Sequence, residues 1–90
     1  MSARDTFEIV NARGLHARAA TKLVQLAATF EAEVELEKDG QRANAKSVMG
    51  VLLLCGARGT RITVLADGVD AIGAVEAIGE LIAARFGEDE

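Results

Sequence analysis

The sequence predicts an α+β fold, a two-layer open-faced sandwich in the order β-α-β-β-α-β-α, with a four-stranded antiparallel sheet and three helices on one face. Three observations carry this. Short segments alternate apolar and polar residues, as half-buried strands do. Longer segments between them place apolar residues at spacings of three and four, as helices with one buried stripe do. Asp39-Gly40 joins two of the short segments directly, a strong hairpin signal. Ninety residues without an internal repeat or a linker suit one domain, spanning 1–90.

Thr6-Phe7-Glu8-Ile9-Val10 alternates and reads as the first strand. Asn11-Ala12-Arg13-Gly14 is a loop. From Ala17 to about Thr29 the period is helical, with Ala20, Leu23, Val24, Ala27 and Phe30 on one stripe. Val34 and Leu36 then point one way and Glu33, Glu35 and Glu37 the other. Three carboxylates on one face could bind a cation, but a solvated sheet face is the simpler reading. The segment from Gln41 to Ala45 pairs back after the hairpin. Ser47 is placed to cap a short apolar helix from about Val48 to Leu54. That helix is either mostly buried or presents an apolar docking patch in which methionine adapts to a partner. Thr60 to Ala66 is the last strand, and Asp70 is placed to cap a final helix reaching Phe86. Its stripe is Ala71, Val75, Ile78 and Ile82, and Gly73 and Gly79 are expected to permit close packing on the sheet. Gly87-Glu88-Asp89-Glu90 reads as a frayed acidic tail.

Composition removes several classes of function. Net charge is −4 and no basic cluster is interleaved with aromatics, which argues against nucleic-acid binding. The apolar runs are too short to span a bilayer, and no signal peptide is visible. One cysteine, Cys55, cannot form an intrachain disulfide, so a reducing cytoplasm is expected. One histidine and one cysteine argue against a zinc site, and neither a metal nor a cofactor is expected.

The chemistry concentrates at Gly14-Leu15-His16-Ala17-Arg18, which carries the only histidine at a strand-to-helix turn. The first N–H groups of a helix lack partners there, and the helix dipole adds positive potential. An anion on or beside His16 meets free donors. Arg18 adds a cation able to grip phosphate oxygens. A neutral imidazole is a nucleophile, and an N–P bond keeps a high transfer potential. Without a general base nearby in sequence, a Walker-type loop or a metal cluster, the site reads as half of a reaction centre, not a complete enzyme.

Gly14-Leu15-His16-Ala17-Arg18 resembles the active-site loop of the HPr family, the histidine phosphocarriers of the bacterial phosphoenolpyruvate phosphotransferase system. Lys46-Ser47-Val48-Met49-Gly50-Val51 resembles the family's regulatory serine region at the matching spacing, and the similarity runs from Thr6 to about Phe86. The chain departs from the family at Ala19, where proline is usual. The resemblance implies that His16 accepts a phosphoryl group on Nδ1 from enzyme I and passes it to an enzyme IIA. It further implies that Arg18 contacts the phosphate, that a serine kinase/phosphorylase acts on Ser47, and that Ala17, Ala20, Val48, Met49 and Leu52 dock partners. The chain is then expected to be a cytoplasmic monomer. Two rivals remain: a regulatory interaction protein of a nitrogen-type or catabolite-control branch acting mainly through Ser47 and docking, and a small ligand-binding domain with a lined pocket. Retention of both His16 and Arg18 favours the carrier, since docking alone needs neither.

Overall fold

A computed structural model describes residues 1–90 and runs β1 (Ser2–Glu8), α1 (Ala17–Ala27), β2 (Glu33–Lys38), β3 (Gln41–Asn44), α2 (Val48–Leu53), β4 (Arg61–Asp67) and α3 (Ala71–Ala83), closing in a 3₁₀ turn at Arg85–Gly87. The four strands form one antiparallel sheet in the order β1-β4-β2-β3. Asp39 and Gly40 take left-handed φ of 51° and 82°, the two-residue hairpin geometry that lets Lys38 pair with Gln41. Val34, Leu36, Ile62, Val64 and Ala66 face the helices and are buried, while Glu33 and Glu35 face water. The helices bury the stripes that their periodicity marks: Ala20, Leu23 and Ala27 on α1, and Ala71, Val75, Ile78 and Ile82 on α3. Of the three phenylalanines only Phe86 is fully buried, so the core is otherwise aliphatic.

Gly79 makes one packing feature possible. A Cβ at this position would run into the ring of Phe7 on β1, so only glycine lets α3 lie this close to the sheet. No helix is long and apolar enough to cross a membrane.

Several elements differ from the sequence reading. The first strand begins at Ser2, four residues before Thr6, because β4 extends to Asp67 and offers Ser2 a partner. Asp70 stands at the N-cap position of α3, but its side chain does not bond its own helix. Its two carboxylate oxygens accept the backbone N–H groups of Glu31, at 2.9 Å, and Ala32, at 2.8 Å. The Glu31 bond is the main cause of a carboxyl pKa below the usual value. Asp70 thus ties the start of α3 to the loop before β2.

The final helix stops at Ala83 instead of continuing to Phe86. Arg85, Phe86 and Gly87 have φ of 59°, 55° and 80°. Left-handed backbone costs a non-glycine residue about 1–2 kcal/mol, and burial of the Phe86 ring, 1% exposed, offsets it. Lys22 on α1 donates Nζ–H to the Phe86 carbonyl at 2.6 Å. The tail that follows is not frayed. The Ala12 N–H donates to the Glu90 carbonyl at 3.0 Å, and Arg85 donates to that of Asp89 at 3.2 Å. The chain end is laid back over the start of α1.

Candidate functional site

Gly14 sets the entry to the site. Its φ is +64°, and a Cβ there would meet the Gly56 carbonyl oxygen. That same oxygen accepts the Leu15 N–H at 2.8 Å, which fastens the loop before α1 to the loop after α2. His16 follows in extended conformation, φ −72° and ψ 177°, as the N-cap of α1. Its carbonyl accepts the Ala20 N–H at 2.8 Å, but its ring does not cap the helix.

The start of α1 is therefore open. The N–H groups of Ala17, Arg18 and Ala19 have no acceptor within the protein, and no acidic residue lies in the first turn. Ala19 supplies one of these donors where proline would have none. Arg18 is exposed and forms no ion pair or hydrogen bond. A cation near a helix N-terminus opposes the macrodipole and costs the fold stability. Arg18 is thus not explained by the helix, whereas an anion at the same place would satisfy the Arg18 side chain, the N–H groups of exposed Ala17 and Arg18 and the dipole together, while Ala19 is 0% exposed.

Around this start lies a shallow cleft of about 500 Å³, lined by Arg13, Arg18 and Lys22 on one side and by the tail residues Gly87 to Glu90 on the other. His16 lines an adjoining depression with Arg13, Leu15, Cys55, Gly56 and Ala57. Arg13 belongs to both and adds a cation to which the sequence reading gave no role.

The sequence reading also missed Glu88. Its Oε2 meets His16 Nε2, and its Oε1 accepts from Asn11 Nδ2 at 3.0 Å. The second Asn11 N–H goes to the Gly14 carbonyl at 2.9 Å. Asn11 is fully buried, and its own Oδ1 has no partner. The hydrogen bond from His16, followed by that from Asn11, holds the Glu88 carboxyl below its usual pKa, so it is a carboxylate at neutral pH. Glu88 is 72 residues from His16 in sequence. Its only signal there was acidity in a segment read as frayed.

The second motif lies along α2. Ser47 is the N-cap, and its Oγ accepts the Gly50 N–H at 3.1 Å. Met49 and Leu53 are 69% and 70% exposed, Val48 and Leu52 are half-buried against the core, and Val51 and Leu54 are buried. The short helix therefore both buries a side and presents one. α1 packs beside α2, and the two motifs are joined through the Gly56 loop at the far end of α2 from Ser47. Ala17 is exposed at the start of α1. Ala20 is 0% exposed and packs in the core, so it cannot touch a partner and does not belong to the docking set.

This arrangement, an imidazole at an open helix start beside an arginine, has relatives. A family model described as the PTS HPr component phosphorylation site matches residues 3–84. The chain belongs to the HPr family. It is 47% identical to phosphocarrier protein HPr of Cupriavidus necator over the whole of both chains. It is 44% identical to that of Neisseria meningitidis serogroup A, over 97% of this chain and 98% of the other. HPr-C-His from Thermoanaerobacter tengcongensis has a crystal structure that superposes with a TM-score of 0.94 at 40% identity, covering 98% of this chain and 99% of that one. Membership in the HPr family makes this a phosphocarrier of the phosphotransferase system. The family match ends four residues short of Glu88.

Proposed function

We propose that His16 is the phosphoryl acceptor of this carrier, that Arg18 and the first N–H groups of α1 hold the phosphoryl oxygens, and that the group arrives from enzyme I and leaves to an enzyme IIA. The observation that carries this reading is the unpartnered start of α1 beneath the only histidine, with Arg18 unpaired beside it. Preorganised donors aimed at a developing charge stabilise a transition state without reorganisation. The test is incubation with enzyme I and phosphoenolpyruvate followed by mass measurement, which is expected to show one added phosphoryl group that is acid-labile and alkali-stable.

Arg18→Ala separates transfer from folding. An exposed arginine at a helix start is worth less than about 0.5 kcal/mol to stability. Losing a charged phosphate contact raises the barrier by about 2.7–4 kcal/mol, a rate loss of about 10²–10³. Rapid-quench transfer kinetics beside a thermal melt read the two effects. Equal kinetics in variant and parent would remove Arg18 from the site.

The exposed side of α2, with Ala17 from α1, is the surface on which partners dock: Met49 and Leu53 at its centre, Val48 and Leu52 at its edge. Ser47 opens this helix and is the regulatory site, modified by a serine kinase/phosphorylase. A phosphate there adds about −1.5 to −2 charge at pH 7. The start of a helix accommodates that charge, but a partner closing over Val48 and Met49 must desolvate it. Phosphoserine at position 47 is therefore expected to leave the circular dichroism unchanged and to slow enzyme I-dependent phosphorylation of His16. Undiminished transfer to the phosphorylated chain would refute the regulatory role and leave the carrier role standing.

A further inference from the structure

We propose that Glu88 is the positioning residue of His16: clamped by buried Asn11, it holds the imidazole as the Nε2–H tautomer and leaves Nδ1 as the nucleophile. This rests on His16 being the phosphoryl acceptor.

A carboxylate only accepts hydrogen bonds, so the His16 nitrogen that meets Glu88 must carry the proton. Nδ1 makes no hydrogen bond and keeps its lone pair. The orientation of Asn11 is equally determined. Both groups facing its amide nitrogen, the Gly14 carbonyl and the Glu88 carboxylate, are acceptors, so that end must be the NH₂. One buried amide therefore reads the loop that carries the histidine and the tail that carries its partner.

The tail reaches this place by construction. Three successive left-handed residues turn the chain, the Phe86 ring is sunk in the core, and Lys22 on α1 holds the Phe86 carbonyl. The Glu90 carbonyl is fastened to the loop that precedes His16. A segment without a task would not be expected to keep two non-glycine residues at positive φ.

The chemistry gives the contact a purpose. The Nδ1 lone pair attacks phosphorus, and the N–P bond forms as the bond from phosphorus to the donor breaks. The electron pair of that bond leaves with the donor. The proton stays on Nε2, and the positive charge gained by the ring is met by Glu88. No proton has to leave the ring, so the same contact serves the return step, in which the N–P bond breaks and Nδ1 recovers its lone pair. Carboxylate partners behind a metal-ligating histidine, held in the same way, typically change affinity or activity about 10–100-fold when removed.

The test uses the 90-residue chain labelled with ¹⁵N, in which a single histidine makes assignment unambiguous. With the ring neutral, the parent is expected to show a pyrrole-type Nε2 and a pyridine-type Nδ1. Glu88→Ala is expected to move both shifts toward a mixture of tautomers. It is also expected to slow acceptance from enzyme I and phosphoenolpyruvate about tenfold, with the KM for the carrier unchanged. Glu88→Gln offers one oxygen to the two donors that Glu88 accepts, Asn11 Nδ2 and His16 Nε2, and is expected to move the shifts part of the way and lose part of the rate. Parent-like shifts in Glu88→Ala would overturn the proposal, as would moved shifts with an unaltered rate. A loss confined to KM would make Glu88 a docking residue and also overturn it. The shifts are read without any phosphoryl donor. A parent chain that shows them and takes up no phosphate would therefore overturn the carrier reading, whereas a phosphorylated parent without them would overturn only the role of Glu88.

Discussion

Replacing His16 by alanine is expected to abolish phosphoryl acceptance outright while leaving the fold in place. There is no second imidazole to take over. The ring does not cap α1, so alanine removes no helix bond. Its one side-chain hydrogen bond is to Glu88, which keeps its bond to Asn11, and losing one hydrogen bond to a charged group costs about 1.5–3 kcal/mol. Cys55 is the other soft nucleophile at the same depression. A Cys55→Ser chain that labels fully, beside a His16→Ala chain that does not label at all, assigns the phosphoryl group to the histidine. Label that persists in His16→Ala would sink the assignment.

The largest effect on stability is expected at Phe86. It is the only aromatic ring fully inside the core, and it sits at the point where the chain leaves helical geometry. Phe86→Ala removes a buried ring and leaves a cavity, which typically costs about 3–5 kcal/mol. Small domains have about 5–15 kcal/mol in all, so the variant should lose a large fraction of its stability. The tail should be released as well, because the left-handed turn at Arg85 and Phe86 would no longer be offset by burial. A urea titration is expected to show a much lower midpoint with an unchanged slope, and the Nε2 shift of His16 should move as it does in Glu88→Ala. A midpoint shift worth less than about 1 kcal/mol would mean that the ring does not anchor the turn.

Ser47 and Asp70 mark the limit of what local sequence patterns encode. Both are capping residue types ahead of a helical period. Ser47 caps its own helix as read, because its acceptor and donor lie three residues apart and the geometry is local. Asp70 gives its carboxylate to Glu31 and Ala32, nearly forty residues earlier, because packing of the loop before β2 brings two free N–H groups within reach. Ala20 shows the same limit. It lies near His16 in the motif, yet one helical turn carries it to the inner face.

The sequence by itself determined the strand and helix order, the Asp39-Gly40 hairpin, the buried stripes of α1 and α3, and a histidine and an arginine at an open helix start. Each follows from patterns within a few residues, where periodicity, turn chemistry and helix polarity act. Only the tertiary structure decided the long-range features: the full length of β1, the break after Ala83, the Asp70 tie, and the joining of Asn11, His16 and Glu88. These depend on groups far apart in the chain meeting at hydrogen-bond distance. Hydrophobic period cannot mark a polar side chain whose partner is brought to it by the burial of a neighbouring ring, as Phe86 brings Glu88.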